Sequence, residues 1–107
     1  MNIKLKKQKD FDLVFSKGIR VYSKSLTLLF IKKDSLKIGI SVSKKHGKAF
    51  LRNKIKRLIR ACIINLKDKI NNNYYVVIVP KVLNEYSYST FLQDLEYTFK
   101  KGKLIDG

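Results

Sequence analysis

The chain is poor in the residues from which enzyme sites and extracellular folds are commonly built. Its 107 residues include one cysteine (Cys62), one histidine (His46), one proline (Pro80) and only eight acids. A single cysteine excludes an internal disulfide and is the usage expected in a reducing cytoplasm. A lone Cys with a lone His cannot supply a Cys/His zinc site. Long apolar runs are missing as well: residues 26–31 and 74–79 fall far short of the ~18 that a membrane-spanning helix needs. The opening Met1-Asn2-Ile3-Lys4-Leu5-Lys6-Lys7 has no apolar core behind its charges, so a secretory signal is not expected.

Scarcity of acid argues against side-chain catalysis. Metal-dependent nucleases converge several carboxylates on one or two Mg²⁺ ions. Here only Asp10 and Asp12 are close in sequence, and at i, i+2 on a helix they point about 200° apart. A metal-free mechanism would need paired histidines or a His/Lys set, and His46 stands alone. No self-contained active site is expected.

What the chain has is positive charge: 24 Lys and Arg against those eight acids, a formal +16 and a pI near 10.1. With 45% hydrophobic content it is expected to fold as one domain, residues 1–107, rather than to be disordered. The charge is uneven. Residues 1–60 hold 18 bases and three acids, net +15, whereas residues 61–107 hold six bases and five acids, net +1. The densest window, 44–60, carries Lys44, Lys45, Lys48, Arg52, Lys54, Lys56, Arg57 and Arg60 with no acid at all. Three of the four arginines lie there, where a planar guanidinium can grip phosphate at two points. Surface helices ordinarily mix charge signs, and like charges at i, i+4 cost roughly a few tenths of a kcal/mol each. A face made only of bases therefore implies that phosphates supply the counter-charge. If about six to eight bases contact RNA phosphates, log K should fall with log salt at a slope of about −4 to −6.

Periodicity gives alternating helices and strands. Phe11, Val14 and Phe15 recur at helical spacing over 8–17, with Gly18 expected to end that helix in the left-handed conformation. Branched and aromatic residues over 20–33, a turn at Ser23-Lys24, and a further segment at 37–43 read as two or three strands, the last two as a hairpin. Over 50–70, Leu51, Ile55, Leu58, Ile59, Cys62 and Leu66 share one face of a helix, and Arg52, Lys56 and Arg60 share a stripe continued by Asn53 and Arg57. Residues 75–79, ended by Pro80, read as a strand buried on both sides. A last helix over 89–101 gathers Phe91, Leu92, Leu95 and Phe99. The order αβββαβα predicts an α+β fold, three helices and a four-stranded sheet in a two-layer sandwich. General statistics favour a right-handed βαβ crossover. Cys62 reads as core. His46 reads as a solvated loop residue, with RNA contact as the alternative, and Phe11 and Phe15 by spacing alone read as core.

Gly39-Ile40-Ser41-Val42-Ser43-Lys44-Lys45, then Gly47-Lys48-Ala49, then Leu51-Arg52-Asn53-Lys54-Ile55-Lys56-Arg57-Leu58-Ile59-Arg60 closely resembles the signature of the bacterial ribonuclease P protein subunit. Asp10-Phe11 and Val14-Phe15 ahead of Gly18 extend the resemblance over nearly the whole chain. It implies a small basic protein that is monomeric outside its complex. Its partner is a catalytic RNA that holds the Mg²⁺ ions and removes the 5′ leader of precursor tRNA. The resemblance also implies a left-handed crossover, against the general rule. By position it assigns Lys48, Arg52, Asn53, Lys56, Arg57 and Arg60 to the catalytic RNA. Phe11, Phe15, Ser41, Ser43, Lys44 and Lys45 go to a leader-binding cleft between the first helix and the sheet, where bases stack on aromatics beside cations. The sequence departs from the family at Lys54, where Arg is common, and at Leu29, where an aromatic often faces the leader; Phe30 falls on the opposite face. A structural RNA binder of ribosomal type is the alternative, and it predicts that Phe11 and Phe15 are closed core. A DNA-binding regulator is disfavoured because strands, not a helix-turn-helix partner, flank the basic helix.

Overall fold

The computed structural model of the chain describes residues 3–106; Met1, Asn2 and Gly107 lie outside it. Three helices and four strands follow in the order α1 (Gln8–Lys17), β1 (Ile19–Tyr22), β2 (Leu26–Lys32), β3 (Lys37–Ile40), α2 (Ala49–Leu66), β4 (Tyr74–Pro80) and α3 (Tyr88–Lys101). Short 3₁₀ turns at Lys44–His46 and Lys67–Lys69 bracket α2. The fold is α+β, with the element order read from periodicity.

The sheet runs β1-β2-β4-β3. β4 lies at its centre, antiparallel to β2 and parallel to β3, so β3-α2-β4 is the crossover unit. The expected hairpin between the second and third strands does not form; the hairpin is β1-β2. The reason is burial. Val76 and Val77 point to opposite faces and both are fully buried under helices, so β4 suits the middle of the sheet, where its backbone groups are also paired on both edges, and it separates β2 from β3. The β1-β2 turn is held by Ser23, whose Oγ donates to Leu26 O at 2.6 Å, and by Asp94 of α3, which accepts from the N–H and Oγ of Ser25 at 3.0 and 2.5 Å.

Alternation along the strands sorts the core onto two faces. Leu28, Phe30, Val76 and Ile78 pack with Ile55, Ile59, Cys62 and Leu66 of α2 and Phe91, Leu95 and Phe99 of α3. Leu29 and Val77 pack on the other face with Leu5 of the N-terminal segment and Val14 of α1. The two-layer sandwich therefore describes the sheet with α2 and α3. α1 adds a partial third layer on the opposite face, because its apolar stripe is only Phe11, Val14 and Phe15 wide and covers only the middle of the sheet.

α3 begins at Ser87, whose Oγ accepts from Thr90 N–H at 3.2 Å. Gly18 closes α1 at φ −71, ψ 154, an extended rather than left-handed conformation. Glycine is required there for space instead: a Cβ would overlap the Val14 carbonyl oxygen and lie 3.1 Å from that of Phe30.

Candidate RNA interface

α2 is long enough to carry two different faces. Ile55, Ile59, Cys62, Ile63 and Leu66 are buried, while Asn53, Lys54, Arg57 and Arg60 are exposed and Arg52 and Lys56 lie half-buried between the two sides. No acid occurs anywhere in Ala49–Leu66, and the N-cap Lys48 makes no side-chain cap hydrogen bond. No acid or side-chain cap thus offsets the positive end of the helix dipole, an end that favours anions. Nε of Arg52 is buried without a hydrogen-bond partner among the described residues.

The loop entering α2 extends this surface. Lys44, Lys45 and Lys48 are exposed. Ser43 Oγ accepts from Lys45 N–H at 3.3 Å and caps the 3₁₀ turn, and Gly47, at φ 113, reverses the chain into α2 where a side chain would be strained. His46 is not a solvated loop residue. It is 7% exposed, and its Nε2–H donates to Pro80 O at 2.7 Å, with Nδ1 3.2 Å from Ser43 O and 3.4 Å from Ser43 Oγ. The imidazole ties the basic loop to the end of β4 while the lysines beside it face outward.

The second group of site residues lies across the sheet. α1 crosses from β3 to β1. At one end the Phe11 ring rests on Gly39, and at the other Arg20 Nη2 donates to Phe15 O at 3.1 Å. Phe11 and Phe15 are half-buried against Leu5, Val14, Leu29 and Val77. They are neither closed core nor free. Strand pairing places Tyr22, Thr27 and Val79 in one row on the α1 face, to the side of the row that α1 covers. Ser41 continues that row, its N–H donating to Ile78 O at 2.9 Å. β3 stops at Ile40, so Ser43 is an exposed turn residue rather than a strand residue facing the cleft. Leu29 faces α1 and is 2% exposed, and Phe30 points into the opposite core, where it meets Tyr74 edge-on at 5.7 Å.

Three residues escaped the sequence reading. Arg20 secures α1 to β1; its only signal was being the one arginine outside the basic window. Lys33 lies 5.5 Å over the Tyr75 ring on the α1 side of the sheet, a pairing no local pattern announces. Phe50 is 72% exposed at the start of α2, and its position off the apolar stripe was legible.

Residues 1–103 match the Ribonuclease P family model. The chain belongs to the ribonuclease P protein family. It is 35% identical over 104 residues to the ribonuclease P protein component of Streptococcus agalactiae serotype III (strain NEM316), covering 95% of both chains. To that of Bacillus velezensis it is 33% identical over 104 residues, covering 94% of this chain and 90% of the relative. Its fold superposes on the Staphylococcus aureus RNase P protein with a TM-score of 0.86 at 30% identity, covering 97% and 98% of the two chains. The Thermotoga maritima RNase P protein gives 0.82 at 29% identity over the same shares. The ribonuclease P signature read at 39–60 thus falls on the end of β3, the basic loop and α2.

Proposed function

We propose that this chain is the protein subunit of a cytoplasmic ribonuclease P ribonucleoprotein that removes the 5′ leader from precursor tRNA. The active site and its Mg²⁺ ions belong to the RNA subunit. The protein docks on that RNA through Lys48, Arg52, Asn53, Lys56, Arg57 and Arg60. It holds the leader beside Phe11, Phe15 and Ser41, with Lys44 and Lys45 of the basic loop at the cleft's end, and is a monomer outside the complex.

The observation that carries this reading is the acid-free α2, whose buried face is core and whose outward face offers bases alone. Among the described residues no three His, Cys, Asp or Glu side chains form a metal-holding group, and no helix is long and apolar enough to cross a membrane. The part-exposed Phe11 and Phe15 favour a ligand-facing role over the closed core that a ribosomal-type binder predicts. Exposed Phe50 beside the bases adds a platform on which an unpaired base can stack.

The test is reconstitution. Protein alone should leave precursor tRNA intact, and adding it to its cognate RNA should lower the Mg²⁺ or salt needed for cleavage. Cleavage by protein free of RNA would sink the proposal.

A further inference from the structure

A cavity of about 410 Å³ opens at the free edge of β3, where the surfaces assigned to the two RNAs meet. Phe11 of α1, Leu5 of the N-terminal segment, Gly39 and Ile40 of β3, and Lys56 and Arg60 of α2 form its wall. Its floor is apolar, its rim is cationic, and no carboxylate lines it.

The strand edge adds a donor and an acceptor. In a parallel pair, successive residues turn their backbone groups alternately toward and away from the neighbouring strand. Ser41 N–H donates to Ile78 O of β4 at 2.9 Å, so the groups of Ile40 point the other way, out of the sheet. Those of Ile38 point out too, and the N-terminal segment satisfies them: Ile38 N–H donates to Ile3 O at 2.5 Å and Leu5 N–H to Ile38 O at 3.0 Å. The segment then leaves the edge to enter α1. Ile40 N–H and C=O are left without a backbone partner among the described residues, beside the cavity. Such a pair costs stability unless water or a ligand satisfies it.

We propose that this edge cavity is a binding site for one unstacked ribonucleotide. Its base lies against the Phe11 ring, the donor–acceptor edge of that base pairs with Ile40 N–H and C=O, and its phosphate is held by Lys56 and Arg60. A divalent cation has no oxygen ligand set here, and a wholly apolar ligand would leave both cations and both edge groups unpaired. Recognition of single-stranded RNA by splayed bases, stacked on one side and hydrogen-bonded along an edge, needs this combination. The volume is at the lower end of the roughly 300–1,000 Å³ typical of small-molecule sites, as one nucleotide requires. The proposal rests on the ribonuclease P reading and sharpens it: the cavity is a base-reading point between the leader face and the RNA-docking helix.

The probe is a six-nucleotide single-stranded oligoadenylate, compared with the same oligomer carrying abasic sites. Titrated into the ¹⁵N-labelled protein, the oligomer with bases should shift the Ile40 amide, and removing the bases should weaken binding about fivefold or more. Ile40→Pro deletes the outward N–H at an edge position where proline is tolerated. In that variant, which keeps the Phe11 ring and the carbonyl, the gap between the two oligomers should narrow, with the remaining amide spectrum reporting that the fold is kept. An unmoved Ile40 amide in the wild-type protein, or equal affinity for both oligomers, would overturn the site. If the protein nevertheless lowers the Mg²⁺ requirement of its RNA, only the pocket fails; if it does not, the ribonuclease P reading itself fails. A photoreactive residue replacing Lys4, on the cavity rim, distinguishes the sources in the holoenzyme. Crosslinks to the precursor leader or to the catalytic RNA identify which supplies the nucleotide, and crosslinks to neither count against the site.

Discussion

A Cβ at Gly39 would overlap Cζ of Phe11 and lie 2.6 Å from its Cε1, so the glycine of the motif exists to let α1 lie on β3. Gly39→Ala should cost about 1–3 kcal/mol in denaturant unfolding, the usual range for overpacking. In the Phe11→Leu background the cost should shrink, because the two sites share one contact. Additive effects would mean that the ring is not what alanine meets. Cys62 is the opposite case, a residue whose role its position on the apolar stripe gave correctly. Burial pushes its thiol up to about 11, against a partial offset from a backbone hydrogen bond. The folded chain thus keeps this proton where the unfolded chain, with the ordinary value of 9.0, releases it. Its contribution to stability is complete below about pH 9 and is lost as pH rises through about 11. Unfolding measured against pH should show the stability gap between wild type and Cys62→Ala narrowing over that window. His46 was misread for a physical reason: its partner, Pro80 O, is 34 residues away, and nothing in Lys44-Lys45-His46-Gly47 announces a buried acceptor.

Helix periodicity made α2 the most legible element, since one face must meet the core and the other cannot. The 3.6-residue repeat placed Ile55, Ile59, Cys62 and Leu66 inside and Arg57 and Arg60 outside, as found. Replacing Arg52 and Arg60 together by Gln should weaken binding to the catalytic RNA at low salt and make the log K against log salt slope shallower by about 1.4, or 0.7 per lost contact. An unchanged slope would remove both residues from the phosphate contacts. Strand partners were less legible than strands. The segments at 20–33 and 37–43 read as neighbours because a short polar turn joins them, yet β4 enters between them. Local pattern records which residues alternate, and the choice of partner depends on the burial demand of a strand far along the chain.

The sheet carries α2 and α3 on one face and α1 on the other, and the proposed function gives each side its own RNA. Because the sheet separates Phe11 from the outer stripe of α2, their effects should separate as well. Phe11→Ala should reduce discrimination between precursor and mature tRNA while leaving affinity for the catalytic RNA nearly unchanged, and Arg57→Gln should do the reverse. Binding measured for each RNA in turn checks this. If both variants moved both affinities equally, the division of the surface would be wrong. The edge of β3 is the exception, where Phe11, Lys56 and Arg60 border one cavity.

By itself the sequence determined the charge and its confinement, the period of each element and, through one long motif, the family. Those properties are local or additive, so they survive without coordinates. Only the tertiary structure decided that α1 lies alone on its face and that His46 is held by a carbonyl of β4. It also decided that the donor and acceptor of Ile40 are left open beside Phe11 and two cations. Each of these depends on which distant backbone groups meet, and hydrophobic periodicity carries no record of that.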